Sequence, residues 1–159
     1  MLSILDNIGN TPLVEIKQLN PNPRVTLLAK LEYMNPGGSV QDRIAKAMIQ
    51  AGETSGELTK DKIVLEATSG NTGIGLAMVC TARGYKLLLT MSEAVSMERR
   101  QILQALDAEI RLTPGHFGTD GAIEEAYRLA REHPETYFLT DQFNNEANWQ
   151  AHFNTTGVE

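Results

Sequence analysis

At 159 residues the chain is long enough for one ordinary domain with a sizeable core. Its 42% apolar and 21% charged residues are a normal globular mix, and a net charge of −6 argues against nucleic acid or an anionic membrane as partner. A single cysteine, Cys80, excludes an intrachain disulfide and a multi-cysteine metal site, and the apolar run around it predicts a buried, inert thiol.

After a loosely structured beginning, residues 25–31 read as a strand, followed by the turn-rich stretch 35–39 and a helix over 40–51. Residues 63–67 form a short apolar strand, 73–83 a helix and 86–91 another strand. An amphipathic helix spans 96–106 on the spacing of Met97, Ile102, Leu103 and Leu106, with Ser96 able to cap it. A strand at 109–112, a helix at 119–132, a strand at 137–139 and a final helix at 146–152 complete the pattern. Alternation of this kind implies an α/β fold with a parallel sheet flanked by helices. The N-terminus has neither the basic start nor the apolar stretch of a signal peptide, and no apolar run reaches transmembrane length. A cytoplasmic location is expected. The chain stops at Thr155-Thr156-Gly157-Val158-Glu159 with no charged tail or clear helix stop, which is how a cut looks and also how an ordinary frayed terminus looks.

The segment Glu66-Ala67-Thr68-Ser69-Gly70-Asn71-Thr72-Gly73 links a strand to a helix. Glycines permit a tight turn, and successive amides at a helix start converge with the helix dipole on one spot suited to a carboxylate or phosphate. Thr68, Ser69 and Thr72 add hydroxyl donors, and Asn71 offers both donor and acceptor. The glycines run in GxxGxG rather than GxGxxG order, which disfavours a dinucleotide site, and there is no Walker lysine. A purely structural turn is the alternative.

Several segments occur together in a telling order: Asn7-Ile8-Gly9-Asn10-Thr11-Pro12-Leu13-Val14, Lys30-Leu31-Glu32, Asn35-Pro36-Gly37-Gly38-Ser39-Val40-Gln41-Asp42-Arg43 and Thr68 to Gly73. Met91 to Arg100 and Asp141 to Asn148 follow. In this order and spacing the chain resembles the cysteine synthases, or O-acetylserine sulfhydrylases, with cystathionine β-synthases as near relatives. The resemblance covers essentially the whole chain and matches the N-terminal half of a family member. It implies the tryptophan synthase β-subunit-like architecture of fold type II pyridoxal-phosphate enzymes. Residues 1–34 would pack in the larger domain, 35–145 would form a smaller mobile domain, and 146–159 would return toward the larger one.

The resemblance also implies roles. The family lysine that holds pyridoxal phosphate and moves the substrate α-proton falls at Gln41. Asn71 would bond the cofactor ring oxygen. Thr68, Ser69, Gly70 and Thr72 would hold the amino-acid carboxylate, with Gln142 reaching the same group. The family reaction eliminates acetate from O-acetylserine and adds sulfide to give cysteine, with the cofactor as electron sink. Three departures stand out. Gln41 offers a carboxamide whose nitrogen lone pair is delocalised and not nucleophilic, so no covalent cofactor attachment is expected there. The half bearing the phosphate loop and the group facing the pyridine nitrogen is not in this sequence. Ser92 stands where the family usually has proline.

Bland readings serve for the other polar groups. Lys30 reads as a structural or solvated charge, Arg99-Arg100 as an exposed helix face, and Asp42-Arg43 as a charge pair at a helix start. His116, His133 and His152 lack metal-ligand spacing, and no metal site is expected. Three functions follow: a cysteine synthase relative of cysteine biosynthesis that is inactive alone, a pseudoenzyme or carboxylate-binding module, or a structural fragment. Leu13, Val14, Leu27 and Leu28 would lack their family cover, so self-association is expected. Partners implied by resemblance are a second copy, a complementary C-terminal half and a serine acetyltransferase tail.

Overall fold

A computed structural model describes residues 2–159. Its centre is a four-stranded parallel sheet of β3 (Ile63–Ala67), β4 (Lys86–Ser92), β5 (Glu109–Thr113) and β6 (Tyr137–Leu139), in the order β5-β4-β3-β6. The runs Ile63-Val64-Leu65 and Leu87-Leu88-Leu89 are apolar on both sides of the chain, as strands covered on both faces must be. One face packs Val64, Leu87, Leu89 and Met91 against α1 (Gln41–Ser55), α2 (Asn71–Arg83) and Leu103 of α3 (Met97–Ala105). The other packs Leu65, Ala67 and Leu88 against Ala122, Ala126 and Leu129 of α4 (Gly118–Glu132). The short α5 (Glu146–Ala151) lies against α1, with Ala151 in the first core. Cys80 is buried in that core, and loss of water pushes its thiol up to about 12.

Helix ends follow from local chemistry. α1 and α2 both stop at left-handed glycines, Gly56 and Gly84, a conformation that would strain a residue with a side chain. α2 begins at Asn71 rather than 73, because the Gly70 carbonyl already accepts from the amides of Gly73 and Ile74. Ser96 sits at the start of α3, but its hydroxyl does not cap the helix.

The N-terminal region departs from expectation. The strand expected over 25–31 shrinks to β2 (Leu28–Lys30), since Asn20 and Asn22 hold the preceding stretch in turns through the carbonyl of Val25 and the amide of Arg24. β2 pairs antiparallel with a strand that the sequence pattern did not reveal, β1 (Leu13–Glu15). This ribbon is separate from the main sheet, and Leu13 and Leu28 are 50% and 49% exposed. Asp42 and Arg43 do stand at the start of α1, but not as a charge pair: both are buried and bond elsewhere. No described helix is long and apolar enough to cross a membrane.

Candidate functional site

Strand order turns back at β3: β4 and β5 extend the sheet on one side, and β6 joins on the other. The loops that follow β3 and β6 therefore lie side by side at the C-terminal edge of the sheet, where open parallel sheets hold ligands. The first of these is the glycine-containing loop, and the second carries Gln142.

Gly70 is extended and precedes a 13-residue helix. Its amide donates to Thr68 Oγ1 at 3.2 Å, whereas the amides of Ser69, Asn71 and Thr72 have no partner among the described residues. Three free N–H groups at the positive end of a helix form a receptor for an anion. Thr68, Ser69 and Gly70 are half-buried, Thr72 is buried and Asn71 is exposed. Across the crevice the Thr72 hydroxyl donates to Gln142 Oε1 at 2.8 Å, so these two positions meet directly.

Beneath Gln142 lies a residue whose role sequence reasoning missed. Glu66, at 2% exposure, accepts from Thr140 Oγ1 at 2.6 Å, from the Ala67 amide at 2.9 Å and from the Gln142 amide at 3.0 Å. Burial raises its carboxyl pKa despite these donors. The signal was present: an acid inside an apolar strand. Arg99, read as part of an exposed face, also reaches the loop, donating to the Ser69 carbonyl at 3.2 Å.

Gln41 opens α1 and is half-buried. Its amide donates to Ser39 Oγ at 3.3 Å, and its carbonyl lies 3.2 Å from where a Cβ on Gly75 would sit. A glycine at 75 thus lets the first turn of α1 abut α2. The Gln41 carboxamide makes no hydrogen bond to the loop among the described residues. Its neighbours are firmly fixed. Arg43 receives Glu32 on Nε at 2.8 Å and Glu159 on Nη1 at 2.6 Å, while Lys30 pairs with Glu159 at 2.6 Å. Asn35 accepts from the Gly9 amide at 2.9 Å and donates to Glu32, tying the 35–39 turn to the N-terminus. The Arg43 guanidinium holds Glu32 down at about 2 and Glu159 well below the usual carboxylate range.

Residues 4–159 match the family model described as pyridoxal-phosphate dependent enzyme. The chain belongs to this family. It is 51% identical over 155 residues to a cysteine synthase from Flavobacterium sp., covering 98% of this chain and 50% of the relative. A cysteine synthase from Staphylococcus aureus is 48% identical over 157 residues, again with 99% and 50% coverage. Among solved structures, O-ureido-L-serine synthase superposes with a TM-score of 0.92 at 40% identity, covering 99% of this chain and 49% of that one. An O-ureido-L-serine-bound lysine-to-alanine mutant of that synthase gives 0.88 at 40% identity, with 99% and 48% coverage. The architecture is that of the fold type II pyridoxal-phosphate enzymes, and the chain spans about half the length of the curated relatives it matches.

The residues present fit this family's cofactor unevenly. The loop amides and the exposed Asn71 carboxamide are donors of the kind that a ring oxygen and a neighbouring carboxylate would need. Covalent attachment does not fit. Lys62 and Lys86 lie at the opposite, N-terminal edge of the sheet, Lys30 is paired with Glu159, Lys46 donates to the Leu5 carbonyl at 2.8 Å and Lys60 to the Arg83 carbonyl at 2.9 Å. Lys17 sits beyond β1, beside Glu15. Among the described residues no metal-holding cluster of His, Cys, Asp or Glu occurs.

Proposed function

We propose that this chain is the carboxylate-binding half of a cysteine-synthase-type subunit, of the lineage that makes cysteine from serine derivatives. It holds an amino acid at the α2 N-terminus and performs no turnover alone. One observation carries this reading: a loop with three unpaired amides stands intact while the residue opening α1, Gln41, has no nucleophilic nitrogen. Thr68, Ser69, Gly70 and Thr72 receive the carboxylate, Gln142 supports them, and Asn71 faces the cofactor ring. An amino acid bound to a relative from which a lysine had been removed supports retention of binding without that amine. The relationship to the cysteine synthases, at 51% and 48% identity, supports the choice of reaction lineage.

The exposed β1–β2 ribbon favours cover by further polypeptide, either more of the same chain or a second one. A two-stranded ribbon with apolar side chains in water is marginal by itself, and the relatives possess as much chain again. A C-terminal half of a cysteine synthase is the expected cover.

The test is a titration of the purified chain with pyridoxal phosphate. We expect no visible band from a lysine-bound cofactor, no lysine adduct after borohydride, and no cysteine from O-acetylserine and sulfide. Gln41→Lys alone should restore little turnover, and Gln41→Lys mixed with a cysteine synthase C-terminal half should restore both band and product. A borohydride-trapped lysine adduct on the unaltered chain, with sulfide-dependent cysteine, overturns the reading.

A further inference from the structure

The two side chains best placed to add donors to the loop are already committed elsewhere. The Thr72 hydroxyl gives its hydrogen to Gln142 Oε1 at 2.8 Å. The Gln142 nitrogen is directed at Glu66 Oε1 and the Ala67 carbonyl, each at a long 3.4 Å. A carbonyl and an ionised carboxylate are pure acceptors, so they dictate which end of the carboxamide is nitrogen. A carboxylate arriving at the α2 N-terminus therefore meets a spent hydroxyl and an amide oxygen.

The geometry points to Glu66 as a positioning residue for the loop: by drawing the Gln142 nitrogen toward itself it turns the Gln142 oxygen to Thr72 and withholds two side-chain donors from a bound amino-acid carboxylate. This rests on the reading of the loop as a carboxylate site. Glu66 does not touch the ligand and acts only through Gln142. Burial raises its carboxyl pKa, so the neutral form is reached more readily than by an exposed acid. In that form its proton goes to the Gln142 oxygen, the carboxamide turns over, its nitrogen meets Thr72 Oγ1, and the Thr72 hydrogen is released to the ligand. The other titratable groups around Glu66 are Tyr127 from α4 and Asp141 from the stretch after β6, with Tyr127 donating to Asp141 Oδ1 at 2.6 Å. Leu89, beside Glu66 on β4, carries no charge.

The experiment uses the full chain, isotope-labelled, titrated upward from about pH 4, near the ordinary carboxylate value, because burial raises the Glu66 carboxyl. Four quantities are followed: the Glu66 carboxyl carbon, the Gln142 side-chain NH2, the amides of Ser69, Asn71 and Thr72, and the affinity for L-serine. As Glu66 ionises, proton contacts of the Gln142 NH2 should move from Thr72 to Ala67, and L-serine should bind about tenfold more weakly, the worth of one hydrogen bond. Glu66→Gln places a permanent donor against the Gln142 oxygen, so the Thr72 contact and the tighter binding should persist at every pH. Gln142→Ala removes the acceptor that holds the Thr72 hydrogen, so L-serine should bind about as tightly as to the form with neutral Glu66 and show no dependence on Glu66. Should Glu66→Gln fail to fold, the wild-type titration decides. Gln142 contacts that stay the same throughout the titration and in Glu66→Gln overturn the proposal, as does a pH dependence that survives in Gln142→Ala. L-serine that shifts none of the three loop amides at any pH removes the carboxylate reading, while the Gln142 contacts still decide the role of Glu66.

Discussion

Replacing Arg43 with methionine should cost this chain a large part of its stability. The Arg43 side chain is 3% exposed and serves two carboxylates, Glu32 through Nε and Nη2 at 2.8 Å each and Glu159 through Nη1 at 2.6 Å and Nη2 at 2.8 Å. Methionine keeps the apolar stem but leaves both acids, each 16% exposed, without it; Glu159 keeps Lys30, and Glu32 keeps no ion pair among the described residues. Removing one partner of a buried pair costs about 3–5 kcal/mol, and the partial solvent access here brings that to ~2–4 kcal/mol. With a urea slope of about 1–3 kcal/mol per molar, the midpoint should fall by about 1–2 M. The pH dependence supplies a second signature. Arg43 holds the Glu32 pKa at about 2 instead of 4.5, so this stabilisation is fully present above the unfolded value of 4.5 and is lost as pH falls toward 2. Linkage sets an upper limit of ~3 kcal/mol, which screening at the exposed edge reduces to ~1–2 kcal/mol. Urea melts of both proteins at several pH values between these limits measure the two effects. A midpoint within about 0.3 M of wild type, with the same loss on acidification, would refute the assignment of Arg43 as the hub.

Two further outcomes follow from packing. In Gly52→Ala the new Cβ would sit 2.4 Å from Phe138 Cζ, so the ring must shift, and thermal melts should report a loss of about 1–3 kcal/mol; an unchanged melting temperature would show that α1 and β6 pack more loosely than described. The double change Leu13→Thr and Leu28→Thr removes apolar surface from the exposed ribbon, so sedimentation should show weaker self-association; identical sedimentation of both proteins would locate the contact elsewhere.

The strands and helices of the parallel sheet were legible because each is a long apolar or periodic segment whose packing agrees with its local preference. Residues 63–67 and 137–139 match β3 and β6 to the residue. The ribbon was harder. β1 is three residues long with all three exposed, so burial leaves no alternation in its sequence, and side chains of Asn20 and Asn22 decide where β2 can begin. At the site, the loop amides could be read from glycine placement and the helix that follows. The resemblance assigned Thr72 and Gln142 to one bound carboxylate; what the structure shows is a hydrogen bond between the two side chains. Glu66 and Arg43 escaped because their partners are 74 and 116 residues away in sequence, at Thr140 and Glu159, distances over which no local pattern carries information.

The structural duties of residue 41 explain how a glutamine can stand there without unsettling the fold. What α1 requires at this position is backbone: an amide for Ser39 Oγ and a carbonyl lying against Gly75. Among the described residues the half-buried side chain makes no anchoring bond of the kind that its neighbours supply, for Asp42 secures the Gly37 amide at 2.5 Å and Arg43 secures two acids. Substitution at 42 leaves the Gly37 amide without its acceptor and substitution at 43 strands two acids, whereas exchange of lysine and glutamine at 41 alters one partly solvated side-chain end. Covalent chemistry and the proposed carboxylate recognition therefore rest on different parts of this scaffold. The first depends on a side chain that the fold hardly uses, and the second on amides that the fold cannot surrender without unwinding the start of α2.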